Sequence, residues 1–200
     1  METITILHEV EAWRAWKIDE GNGPVLHSLV RDWQWPARQK VHAVCHREEM
    51  GWGSSHRGEG IPDVNCSCGF WATKNRLSAQ RPQVHSRYLK GIVVGKVALW
   101  GDIIEHEEGF RAQFAYPLSL EDALCSECNS VIPIQKTILR LRASRWNMPS
   151  YAGDSSYATV CRKCHNNFFR RFRRTPVVLH WQDSIAERYG LQAPPDFRMT

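Results

Sequence analysis

The apolar residues of this chain recur mostly with the short period of a β-strand, broken by glycine- and proline-rich turns. Residues 12–18, Ala-Trp-Arg-Ala-Trp-Lys-Ile, are rich in strand formers, 19–24 are a turn cluster, and 25–30 resume the apolar run, which predicts a hairpin. Trp33-Gln-Trp-Pro36 leads to another short strand at 41–45, and residues 46–65, with Gly51, Gly53, Gly58, Gly60 and Pro62 among polar neighbours, predict a loop. The polar, basic stretch 74–90 predicts one short helix and a connection. Residues 91–101 are a strongly β run that 103–116 continues, with a turn at residues 107–109. Phe110, Ala112, Phe114 and Tyr116 fall on one face there, and Arg111 and Gln113 on the other. Ser119, with Asp122 three residues on, reads as the N-cap of a short helix. A last helix is expected at 182–189, before Gly190, and residues 194–200 read as a frayed tail. No internal repeat or low-complexity tract interrupts this pattern.

Composition narrows the class of protein. Hydrophobic residues at 42% and charged residues at 24% are ordinary for a globular chain of 200 residues. The N-terminus lacks a basic segment followed by an apolar run, and no stretch approaches eighteen consecutive apolar residues, so the expected location is cytoplasmic with no membrane partner. In a reducing compartment seven cysteines read as metal ligands rather than disulfides. Nine tryptophans are many, and the expectation is that most are core and one or two line a binding surface.

The cysteine spacing carries the strongest chemistry. Cys125-x2-Cys128 and Cys161-x2-Cys164 are separated by 32 residues, a longer gap than in the commonest two-pair zinc sites. Each Cys-x2-Cys turn points two sulfurs at one atom, as tetrahedral zinc requires. The first pair should sit on a knuckle, residues 131–142 on a following hairpin, and the second pair at the start of a helix in which Phe168, Phe169 and Phe172 are spaced for one buried face. Knuckle, hairpin and helix in that order make a treble clef. Cys45, Cys66 and Cys68 remain. With His56 from the loop they compose a second candidate zinc site, and His46 is less suited because adjacent residues rarely both reach one metal. The alternative for these three is buried thiols.

The expected fold class is therefore α+β. A mainly antiparallel β domain, with a zinc-binding loop, spans residues 1–120, a treble-clef finger 121–176, and a terminal helix and tail 177–200. The expected cofactor is Zn2+, one or two ions per chain.

Val160-Cys-Arg-Lys-Cys-His-Asn-Asn resembles the C-terminal part of the HNH nuclease finger. That family takes its general base from a histidine on the hairpin, and between Cys128 and Cys161 this chain has none, so the resemblance implies a degenerate, non-cleaving finger. His165 then reads as a helix-start residue or a phosphate contact. The segments around Trp13, Cys66 to Ala72, and Leu99 to Ala112 resemble uncharacterised actinobacterial and actinophage proteins. Gly91-x3-Gly-Lys-Val97, with Arg111-Ala-Gln-Phe and Pro117-Leu-Ser-Leu120, is similar in layout to PUA-like domains, which implies a small β-barrel that holds a nucleotide base.

Charge segregation points to a partner. From Cys125 to Pro176 there are ten basic residues against two acidic ones, leaving 26 − 10 = 16 basic and 21 − 2 = 19 acidic residues elsewhere. The positive excess belongs to the finger, an electrostatic footprint for a polyanion. The reading is a non-enzymatic nucleic-acid-binding protein, with DNA favoured over RNA, whose Arg162, Lys163, Arg170, Arg171, Arg173 and Arg174 grip phosphates. Two alternatives stand beside it. One is an adaptor for a protein partner. The other is an enzyme: a metal-dependent nuclease of degenerate HNH type, or a base-processing protein using Glu105, His106 and Glu107, residues that otherwise make an exposed hairpin end.

Overall fold

A computed structural model describes residues 3–21, 23–30, 33–45, 56, 60–81, 91–141, 157–172, 178–179 and 181–191. Strands β1 (Thr3–Gly21) and β2 (Gly23–Ser28) pair antiparallel with Trp16 opposite Ser28 and Gly21 opposite Gly23. The expected hairpin forms, and its strands run deep into the turn cluster. After β3 (Val41–His42) and β4 (Phe70–Thr73), a one-turn helix α1 (Arg76–Gln80) begins at Asn75, whose side chain accepts from the Ser78 N–H. The long strands β5 (Ile92–Glu105) and β6 (Gly109–Pro117) follow.

Four of these strands close a circuit. β1 pairs with both β4 and β5, and β6 pairs with the same two, giving a barrel-like antiparallel sheet with β3 attached to β6. Closure satisfies strand edges that would otherwise stay open. Trp16, Ile18, Leu26, Trp35, Val93, Val97, Leu99 and Ile103 are buried in its core, and Trp16 meets Trp35 edge-on at 5.7 Å.

The segment expected as a helix from Ser119 is not one. Residues 118–121 run against β5: the Leu118 N–H donates to the Lys96 carbonyl at 2.9 Å and the Glu121 N–H to the Val94 carbonyl at 2.8 Å. Gly95 permits this approach, since a Cβ there would stand 1.8 Å from the Ser119 carbonyl oxygen. With its backbone groups already paired to a strand, the segment gains nothing from helix formation, and it continues as β7 (Asp122–Leu124). Asp122, read as the capping acid, instead accepts from Arg76 Nε, Arg76 Nη2 and Gln80 Nε2, each at 2.6 Å.

The hairpin expected over 131–142 is also redrawn. β8 (Val131–Pro133) pairs back with β7, and the chain then passes through a 3-10 turn (Ile134–Lys136) to β9 (Ile138–Leu141) in a second sheet. Pro133 cannot donate to a ladder, and Thr137 Oγ1 closes the turn on the Pro133 carbonyl at 3.0 Å, so the segment changes sheet instead of folding on itself. β9 lies between β10 (Tyr157–Val160) and β11 (Val178–Leu179).

Two helices complete the fold, α2 (Arg162–Phe172) and α3 (Trp181–Tyr189). The expected C-terminal helix ends at Gly190 in a Schellman arrangement, Leu191 N–H to the Ala186 carbonyl at 3.0 Å and Gly190 N–H to the Glu187 carbonyl at 3.3 Å. Tyr189 ties α3 to the barrel, donating to the Trp35 carbonyl at 2.9 Å and accepting from the Leu26 N–H at 3.0 Å. Leu139, Tyr157, Ile185 and Tyr189 belong to the same apolar cluster as the barrel core. Among the described residues no helix is long and apolar enough to cross a membrane.

Candidate metal centres

Two groups of four ligands converge, and they are the two groups read from the cysteine spacing. Cys45, His56, Cys66 and Cys68 form one, and Cys125, Cys128, Cys161 and Cys164 the other, with the ligand atoms of each group within 4.8 Å of one another. Sulfurs about 2.3 Å from a tetrahedral centre stand about 3.8 Å apart, and a sulfur and an imidazole nitrogen roughly 3.6 Å apart. In the first group Cys45 Sγ lies 3.8 Å from Cys66 Sγ, and His56 Nε2 lies 3.1 Å from Cys45 Sγ and 3.5 Å from Cys68 Sγ. In the second, Cys128 Sγ and Cys161 Sγ are 4.0 Å apart. Both donor sets fit zinc in closed, four-ligand sites.

The loop site draws its ligands from residues 45–68 and is oriented from outside. Cys45 follows β3, Cys66 and Cys68 precede β4, and His56 is buried between them. His56 Nδ1 faces the Gly60 carbonyl at 3.4 Å and Asp63 Oδ2 at 4.0 Å, which leaves Nε2 as the metal-facing nitrogen. Asp63 also shapes the loop, accepting from the Asn65 N–H at 2.6 Å and, through its carbonyl, from the Cys66 N–H at 3.2 Å.

Arg111 is the residue whose part in the site sequence reasoning missed. Alternation along β6 puts it on the face opposite Phe110, Ala112, Phe114 and Tyr116, and it is 3% exposed there because the ligand segment covers that face. Its Nη1 donates to the carbonyls of Asp63 at 3.1 Å, Cys68 at 3.3 Å and Cys66, and its Nε donates to His106 Nε2 at 2.9 Å. Buried loop carbonyls need donors, and a guanidinium brings five in fixed geometry. Trp71, opposite Arg111 in the β4–β6 ladder, stacks on His106 at 5.2 Å. Burial first, and then the Arg111 charge, hold the His106 pKa below its ordinary value. His106 is thus neutral and accepting at Nε2, while Glu105 and Glu107 are exposed and Glu105 pairs with Lys74 at 2.7 Å.

The finger site joins two Cys-x2-Cys pairs carried by different elements. β7 and β8 flank the Cys125–Cys128 knuckle, which the Cys125 N–H closes on the Ser130 carbonyl at 2.9 Å. β10 delivers Cys161 to the first turn of α2, where the Cys164 N–H donates to Cys161 Sγ at 3.4 Å. Thr159 joins the halves: its Oγ1 donates to the Leu124 carbonyl at 2.5 Å and its carbonyl accepts from the Ser126 N–H at 2.8 Å.

The thiols differ in readiness to ionise. Hydrogen bonding from Ser130, at 3.1 Å, pulls Cys128 down to about 6, whereas burial pushes Cys125 and Cys164 up. In the loop site burial pushes Cys68 up to about 11. Zinc takes thiolates, so Cys128 offers an ionised ligand at neutral pH, while Cys125, Cys164 and Cys68 give up protons as the metal enters.

Arg162 and Lys163 are exposed at the start of α2 beside this site. Arg170, Arg171 and the phenylalanines at 168, 169 and 172 lie on α2, with side chains outside the described residues, as are Arg173, Arg174 and His46 altogether. Of the tryptophans, Trp16 and Trp35 are buried and Trp71 is 49% exposed.

No family model, curated protein or solved structure matches this chain.

Proposed function

We propose that this chain is a zinc-stabilised, non-enzymatic DNA-binding protein in which the region around the finger site grips phosphates. The observation that carries this reading is the segregation of charge: ten basic and two acidic residues between Cys125 and Pro176, with the other 148 residues slightly acidic. Arg162 and Lys163 are exposed at the start of α2, and no acidic residue occupies that helix's first turn. Two cations there would meet a polyanion without competition from their own helix.

Knuckle, strand pair β9–β10 and helix α2 follow one another in treble-clef order, which supports a finger of that kind, related in our reading to a degenerate HNH-type finger. The chain has no histidine between Cys128 and Cys161, so a phosphate held there lacks an imidazole base. Binding without cleavage is the activity we assign.

Salt-titrated binding of a DNA duplex tests the proposal. The Arg162→Ala/Lys163→Ala variant is expected to bind more weakly regardless of sequence, with the slope of log K against log salt reduced by about two, one for each lost phosphate contact. Unchanged affinity and slope in a zinc-loaded variant would sink the reading. A protein partner that survives nuclease treatment, without measurable DNA affinity, would replace it with the adaptor role.

A further inference from the structure

Across β3, β6 and β5 lies a row of rings unused by either metal site. His42 on β3 is directly opposite Phe114 on β6, and Phe114 is directly opposite Trp100 on β5. The ring centroids are 5.1 Å apart between His42 and Phe114, and 5.8 Å between Phe114 and Trp100, with the latter pair only 17° from parallel. His42 is exposed, and Phe114 and Trp100 are half-buried. Lys40, also exposed, holds its Nζ 5.3 Å from the centre of the Phe114 ring.

The row is preorganised by the backbone. Pairing between β5 and β6 shifts register between Trp100 and Ile103, at a bulge containing Gly101 with φ +79°. A Cβ on Gly101 would stand 2.7 Å from Phe114 Cδ2, so the ring lies directly on the glycine backbone and is held beside Trp100. Rings fixed this way lose little rotamer freedom when a planar partner stacks on them.

We infer that His42, Phe114, Trp100 and Lys40 form a stacking platform for unpaired DNA bases, with Lys40 placed for the adjoining phosphate. This rests on the DNA-binding reading above and extends it to a substrate class, single-stranded DNA. Three aromatic side chains across three adjacent strands, with a cation beside the central ring, supply what sequence-tolerant single-strand binding uses: π-faces for bases and a charge for the backbone. Paired bases in a duplex keep their faces stacked on one another and cannot use such a row.

The test compares zinc-loaded wild type, Phe114→Leu, His42→Ala and Arg162→Ala/Lys163→Ala, measuring affinity for a mixed-sequence DNA oligonucleotide as a single strand and as its duplex. Phe114→Leu is expected to weaken single-strand binding by roughly 5- to 150-fold, the loss of about one stacked base, and to leave duplex binding within about twofold. His42→Ala, at an exposed ring, leaves folding untouched and is expected to weaken the single strand selectively by a smaller factor. If both ring variants retain wild-type single-strand affinity, or lose duplex affinity equally, the platform is overturned while DNA binding stands, provided the Arg162/Lys163 variant still weakens the duplex. If wild type binds neither form, DNA binding itself fails and the platform with it.

Discussion

The two metal centres use almost the same ligands and are built in opposite ways. The finger site takes four cysteines from two tight turns, and one of its ligands, Cys128, is exposed at the surface. The loop site takes three cysteines and a histidine from residues 45–68, keeps His56, Cys45 and Cys68 buried, and is held from behind by Arg111 on β6. Neither site is local in sequence, with 33 positions from Cys128 to Cys161 and 21 from Cys45 to Cys66, so the contrast lies in what each is anchored to. The loop cysteines flank β3 and β4, which both pair with β6, and Arg111 on β6 satisfies the carbonyls of that segment, whereas the finger ligands join the β7–β8 knuckle to the start of α2. The difference teaches that metal at the loop site is linked to the stability of the whole fold, and metal at the finger mainly to its own knuckle and helix.

The largest effect that would break this contrast is at the ligands themselves. Cys68→Ser and Cys128→Ser are each expected to lower bound zinc from two per chain to one. Structural zinc contributes on the order of 10 kcal/mol to small metal-dependent folds, so Cys68→Ser is expected to abolish the cooperative thermal transition of the barrel, and Cys128→Ser to preserve it. Equal losses in melting experiments would refute the asymmetry. Within the loop site, His56→Cys is expected to retain zinc and His56→Ala to lose it, read by metal analysis, because a thiolate replaces Nε2 as a donor and a methyl group does not.

A step smaller is Arg111→Met. It keeps the volume of the stem and removes the donors to the Asp63, Cys66 and Cys68 carbonyls, so loop-site zinc affinity is expected to fall by about 10- to 100-fold while finger affinity holds. Competition with a graded chelator separates the two. Loss at both sites would mean that Arg111 supports the fold generally and not the loop.

The smallest effect is expected where β7 joins barrel to finger. Burial alone would raise the Asp122 pKa, but hydrogen bonds from Arg76 and Gln80 hold it below the ordinary carboxylate range. A carboxyl depressed in the folded state adds stability above its unfolded pKa of about 3.9 and loses it as pH falls through the lower folded value. The gap in melting temperature between wild type and Asp122→Asn is therefore expected to be constant from about pH 7 to about pH 5 and to narrow below about pH 4. A gap independent of pH would place the loss in packing instead of charge.

Much of the architecture was legible because local chemistry specified it. The hairpin at 12–30, the long β runs and the last helix follow from strand formers, turn clusters and a C-terminal glycine, and the finger ligands follow from their spacing. The loop ligands were legible as a set because three cysteines remained once the finger had taken four, and His56 stands midway in the segment between them. Three features were not legible. Ser119 and Asp122 carry a capping signal that residues 118–121 override by bonding along β5. Residues 131–142 look like one hairpin but divide between two sheets at Pro133. Arg111 obeys alternation and is buried nonetheless, because a charged residue on the outer face of a strand is solvated only if no other segment arrives to cover it.

The sequence by itself determined the strands, the identity of the eight candidate ligands and the concentration of positive charge around the finger, since each depends on residue type and short spacing. Only the tertiary structure decided that β1, β4, β6 and β5 close on one another, that Arg111 stands behind the loop site and that His42, Phe114 and Trp100 fall into one row. These depend on register between strands far apart in the chain, and a shift of one residue would turn every one of those side chains to the other face.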